Sequence, residues 1–175
     1  ANQAAAFIQM AIAEFDIPHH FSVEILTETA KATVPELGAR VDLRDTPLVT
    51  IDGADAKDFD DAVFAEPHGD GWRIIVAIAD VSAYVLADSA LDKEAAMRGN
   101  SVYLPGTVIP MLPEALSNGM CSLVPHEDRA SLAVEIILDK TGAKKSHRFM
   151  RALIKSHARL TYDAVQTIHE GTADE

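Results

Sequence analysis

The sequence predicts an α+β fold: a mixed, largely antiparallel β-sheet or partial barrel with flanking helices. Three observations carry that expectation. Two pairs of strand-like runs are each joined by a glycine-bearing turn, His68-Gly-Asp-Gly71 and Asp139-Lys-Thr-Gly142. The run Trp72–Ala79 is almost continuously apolar, as expected of a central strand covered on both faces. Apolar residues from Ala4 to Phe15 recur at helical spacing, which places a helix at the start of the chain.

The elements follow in order. The first helix ends near Pro18, because proline cannot continue it. A weaker second helix spans Phe21–Ala32, and residues 1–35 together read as a helical linker or packing arm. Leu48–Ile51 is a short buried strand. Ala62–Glu66 and Trp72–Ala79 pair as a hairpin. Asp80 closes the second of these strands, where capping the local turn through the backbone at Ser82 is favoured over a supporting role for other carboxylates. Ser89–Arg98 is a helix stopped by Gly99, and Glu114–Leu116 is a short turn between Pro113 and Gly119. Arg129–Leu138 and Lys144–Lys155 form a second long hairpin. Thr161–Glu170 is a terminal helix, with a frayed tail from Gly171 onward.

Composition bounds the class. A chain of 175 residues, 48% hydrophobic and 24% charged, is ordinary globular material with enough length for a core. No apolar run approaches a membrane span, and no signal peptide is expected ahead of the domain. The single cysteine, Cys121, suits a reducing cytoplasm and reads as a small buried hydrophobe. The net charge of −12 argues against phosphate binding only if charge is evenly spread. It is not: Lys140, Lys144, Lys145, Arg148, Arg151, Lys155 and Arg159 fall in a stretch without any acid. A solvated strand and helix face accounts for that stretch as well as a nucleic-acid surface does.

Folding alone explains Asp52-Gly-Ala-Asp-Ala-Lys-Asp-Phe-Asp-Asp61 poorly. Five carboxylates in ten residues repel one another, and they follow directly on a strand. Carboxylates share a small volume when a divalent cation, Mg²⁺ or Mn²⁺, neutralises them. An EF-hand is excluded: counted from Asp52, its glycine and glutamate positions hold Lys57 and Val63. Zinc is excluded because the chain has one cysteine and no His-x₂₋₅-His pair. Hard-cation phosphoryl chemistry remains.

The stretch Arg40–Val63, with its Asp52-Gly-Ala-Asp-Ala-Lys-Asp-Phe-Asp-Asp61 core, resembles the signature of the RNB-domain exoribonucleases, the ribonuclease II and ribonuclease R family. Val76-Ala-Ile-Ala-Asp-Val-Ser82, Arg98-Gly-Asn-Ser-Val-Tyr-Leu-Pro105 and the block Ile109–Leu123 agree in the same order. Ser156-His-Ala-Arg-Leu-Thr-Tyr162 leans toward the ribonuclease R branch. The resemblance covers about residues 36–169. It implies that 36–175 is the N-terminal part of an RNB catalytic domain, and that the chain is a piece of a longer protein.

The resemblance further implies a Mg²⁺-dependent enzyme that degrades single-stranded RNA from its 3′ end to nucleoside 5′-monophosphates. Asp52 and Asp61 bracket the turn and are the first candidates for metal ligands. Asp58 would complete the ligand set, and Asp60 would hold a second ion or orient the attacking water. Tyr103 would stack on the terminal base, a sequence-tolerant contact, and Tyr162 would sit near the last nucleotides. An arginine and further carboxylates from the later half of the domain, and separate cold-shock and S1 domains, are expected in the full-length protein. Two other classes stay open: an RNB-like RNA-binding or regulatory protein that does not cut, and an unrelated metal-dependent phosphatase, which Asp58-Phe-Asp60 after Ala-Lys fits poorly.

Overall fold

A computed structural model describes residues 2–171. The chain divides into two compact units, one made of residues 1–32 and 84–117 and the other of 33–83 and 118–175. In the first unit, helix α1 is Asn2–Glu14 and helix α2 is Val23–Thr29. The Ser22 hydroxyl caps α2 by accepting from the Ile25 amide. Helix α3, Ala90–Arg98, is capped in the same way by Ser89 and ends at Gly99, whose φ of 77° lies in the left-handed region. The remaining pieces are two short antiparallel strands.

The second unit is built on one sheet. Its strands are β1 (Val41–Leu43), β2 (Val49–Asp52), β3 (Asp61–His68), β4 (Gly71–Ala79), β7 (Asp128–Leu138), β8 (Lys144–Lys155) and β9 (Ala158–Thr161), while β5 (Val102–Leu104) and β6 (Thr107–Ile109) form the hairpin of the first unit. The spatial order is β1-β8-β7-β4-β3-β2-β9, so β1 and β9 are edges and the sheet does not close into a barrel. Interior pairings are antiparallel; β1 with β8 and β2 with β9 are parallel. The expected mixed α+β fold is therefore the observed one, in its open-sheet form.

Both hairpins stand where the turn residues put them. His68 pairs with Gly71 across Gly69-Asp70, and Gly69 takes a φ of 62°. At the second turn, the Asp139 carboxylate accepts from the amides of Thr141 and Ala143 and from the Thr141 hydroxyl. Helix α4, Tyr162–His169, starts where Thr161 caps it. The expected fray beyond Gly171 lies outside the described residues.

Three expectations need correction. Strand β4 is central but not covered on both faces. Ile75, Ala77 and Ala79 are buried with Ala62, Ser131 and Ala133, whereas Trp72, Ile78, Leu132 and Phe149 are exposed. The register puts these four on one face. Residues 115–120 form a π-helix instead of a bare turn. Asp80 does not cap through the Ser82 backbone: its carboxylate accepts from the Ser82 hydroxyl at 2.6 Å and pairs with Arg40 and Arg151, each at 2.8 Å. Burial raises the Asp80 pKa, but those three donors outweigh it and hold the group below its ordinary value.

The β3–β4 hairpin also depends on a close approach. A Cβ on Gly71 would lie 2.1 Å from the Leu138 carbonyl oxygen and 2.8 Å from Asp139 backbone atoms. Main chain cannot swing aside as a flexible side chain can. Gly71→Ala should therefore cost at least about 1–3 kcal/mol, read as a lower urea midpoint. An unchanged midpoint would mean that the two hairpins do not approach so closely.

Candidate functional site: an acidic loop clamped at both ends

Strand β2 delivers Asp52 to the end of the sheet, and the chain then leaves regular structure until Asp61 opens β3. The Asp52 carboxylate accepts from the Gly53 amide at 2.7 Å. A tight turn follows, closed by the Ala56 amide on the Gly53 carbonyl. The chain next dives inward at Phe59, which is buried between Asp58 and the exposed Asp60.

Two groups distant in sequence hold this loop. On one side lies Ser122, fully buried, whose hydroxyl accepts from the Phe59 amide at 2.9 Å and donates to the Lys57 carbonyl at 3.1 Å. The Leu123 amide donates to the Phe59 carbonyl, and Arg129, itself buried, fixes the Ser122 carbonyl through Nε at 2.8 Å. Removing the Ser122 hydroxyl would strand a buried amide, a loss of about 1–3 kcal/mol. On the other side lies Arg159 of β9, which donates to the carbonyls of Gly53, Ala54 and Ala56. Its guanidinium also lies 5.0 Å from the centre of the Phe59 ring. At the exit, the Ala79 amide donates to the Asp60 carbonyl, locking the end of the loop to β4.

The clamps force the carboxylates into one electrostatic neighbourhood. Partial burial of the Asp60 carboxyl, followed by the charges of Asp58, Asp61 and Asp52, raises its pKa above the ordinary 3.8. Burial, with the Asp60 charge behind it, pushes the Cys121 thiol up to about 12, so it stays protonated at neutral pH. Among the described residues, no three Asp, Glu, His or Cys side chains converge closely enough to enclose a metal ion. The charges of Asp58, Asp61 and Asp52 all bear on Asp60.

The two tyrosines fall in different places. Tyr162 is exposed and begins α4, directly after Thr161, which pairs with Asp52 across the parallel β2–β9 ladder. That register brings Tyr162 to the strand end from which the acidic loop departs. Tyr103 is exposed on the β5–β6 hairpin of the other unit. Ser122 has no role legible in the sequence, and Arg159 stands there only as one member of the basic stretch. Both lie in blocks that carry the resemblance, but nothing local reveals contacts that span 63 residues in one case and more than 100 in the other. The basic run is partly neutralised: Lys145, Arg148, Arg151 and Lys155 pair with Asp70, Glu135, Asp80 and Asp128.

The RNB domain family matches residues 40–175, which include the whole acidic loop and both of its clamps. The chain belongs to the RNB family. It is 54% identical over 171 residues to the ribonuclease R of Acidithiobacillus ferrooxidans, covering 95% of this chain and 39% of that protein. It is 49% identical over 172 residues to the ribonuclease R of Escherichia coli, covering 95% of this chain and 21% of that one. Mycoplasma genitalium RNase R, solved in complex with double-stranded RNA, superposes on it with a TM-score of 0.93 at 32% identity, over 99% of this chain and 32% of its own. The chain thus spans well under half of these relatives. In RNB terms it holds the aspartate loop and the sheet that carries it.

The raised pKa of Asp60 has a measurable sign. Asp60 has a folded pKa above its unfolded one, so the folded state binds the proton more tightly between 3.8 and that raised value. The stability this gives is present at low pH and is lost as the pH rises through the folded pKa. In chelator at neutral pH, Asp60→Asn should melt above the wild type, and the gap should close as the pH falls below that window. A variant that melts at or below the wild type throughout would show that burial and the neighbouring charges do not penalise the Asp60 carboxylate.

Proposed function

We propose that this chain is the aspartate-bearing part of a Mg²⁺-dependent exoribonuclease that hydrolyses single-stranded RNA from its 3′ end to nucleoside 5′-monophosphates. RNB membership through the acidic loop is the observation that carries this reading. The donor set fits a divalent cation: the candidate ligands are hard carboxylate oxygens, and a cation would offset the neighbouring charges that, after burial, raise the Asp60 pKa. Asp52, Asp58 and Asp61 would hold the ion, with Mn²⁺ as a substitute for Mg²⁺. When bound, it supplies charge neutralisation and Lewis-acid polarisation of the scissile phosphate.

The chain's own residues do the rest. Asp60 is exposed, and partial burial with the neighbouring charges raises its pKa, which suits it to orient the attacking water and accept its proton. Tyr103 offers an exposed ring for stacking on a base of any identity. Tyr162, beside the Asp52 strand end, would contact the last nucleotides. An arginine and further carboxylates from the rest of the RNB domain would complete the site, and cold-shock and S1 domains would grip the RNA. A cytoplasmic location goes with this reading; among the described residues, no helix is long and apolar enough to cross a membrane.

The test is digestion of 3′- and 5′-labelled single-stranded RNA by the full-length parent. Shortening from the 3′ end should require Mg²⁺ or Mn²⁺. Asp60→Asn should slow turnover by about 10²–10⁴-fold, the usual worth of a positioned general base, while RNA binding persists. A wild-type parent that binds RNA without shortening it would instead identify an inert RNB-like binding or regulatory protein.

A further inference from the structure

Arg159 does something that a surface cation seldom does. Its Nη2 donates to three main-chain carbonyls of one turn, those of Gly53 at 3.3 Å, Ala54, and Ala56 at 3.5 Å. Its guanidinium also lies over Phe59, the buried anchor at the far end of the loop. Carbonyl dipoles that point at a common spot repel one another, so a turn of this shape needs a donor at its focus. The donor comes from β9, whose parallel pairing with β2 sets Arg159 opposite Thr50, two residues before Asp52. The turn lies between Asp52 and Asp58, and its shape decides where those two carboxylates point.

We propose that Arg159 is a positioning residue: it fixes the turn of residues 53–56 and so orients Asp52 and Asp58 toward the divalent cation. The inference rests on the cation reading given above. Two effects of Arg159 on that cation have opposite signs, which makes them separable. Its positive charge beside the aspartates opposes cation binding, so charge alone predicts tighter binding once the charge is lost. Its hold on the turn favours binding, so the positioning role predicts weaker binding. Lysine keeps the charge but, as a compact ammonium on a flexible stem, does not reproduce the planar fork.

The experiment compares the full-length parent with its Arg159→Lys and Arg159→Met variants. Mn²⁺ binding is titrated by the electron paramagnetic resonance signal of the free ion. Amide hydrogen exchange across residues 53–58 is measured in chelator. Both variants should bind Mn²⁺ about tenfold or more weakly, the usual effect of losing a partner that orients a ligand. Both should exchange faster in that segment, with the exchange of β4 and β7 unchanged. Lysine binding as well as arginine, together with methionine binding more tightly, would overturn the proposal in favour of charge alone. Unchanged exchange in the turn would overturn it as well. If Arg159→Met fails to fold, Arg159→Lys decides alone. A wild-type chain that binds no Mn²⁺ overturns the functional reading and this inference with it; wild-type binding with unaltered variants overturns this inference only.

Discussion

Mutual repulsion among Asp52, Asp58, Asp60 and Asp61 is the constraint to which the surrounding structure responds. A flexible loop would relieve it by spreading its charges into solvent, at little cost. This loop is prevented from doing so. Its ends are strand residues paired to β9 and β4, its middle residue Phe59 is buried, and its carbonyls are taken up by Ser122 and Arg159. The raised pKa of Asp60 is the electrostatic residue of that confinement. Structures that keep like charges together against their repulsion are those in which a counter-charge is part of the working state.

The sheet is what makes the clamps possible. Asp52 and Asp61 belong to neighbouring antiparallel strands, β2 and β3, so the loop starts and ends on the same rigid support. The parallel edge strand β9 brings Arg159 and Tyr162 alongside Asp52, the segment before β7 brings Ser122 to the Phe59 backbone, and Arg129 of β7 holds Ser122 in turn. Four sequence blocks that look unconnected thereby meet at one loop. Nearby, Asp80 shows the contrasting solution: a buried carboxylate whose charge is met by two arginines and a hydroxyl, and whose pKa falls where that of Asp60 rises.

What could be read from the sequence divides along physical lines. Helices α1, α3 and α4 and both long hairpins are written locally, in periodicity, in the capping residues Ser89 and Thr161, and in the turn glycines. The acidic loop is legible because crowded charge has no folding rationale. Strands β1 and β9 are not legible: they have three and four residues and are defined by parallel pairing with distant partners. The small β5–β6 hairpin is hidden by its brevity, although Gly106 marks its turn. The one-sided cover of β4 escapes because Trp72, Ile78, Leu132 and Phe149 are as apolar as core residues. Ser122 and Arg159 escape because a side chain that bonds to backbone leaves no signature in the partner residues.

The central claim is that this clamped loop gathers its carboxylates for a divalent cation. Anomalous diffraction from a crystal of the full-length parent soaked in Mn²⁺ tests it most directly. The account predicts an anomalous peak within coordination distance of carboxylate oxygens from at least Asp52 and Asp61. A well-ordered loop with no peak there, or a peak held only by other residues, would contradict it.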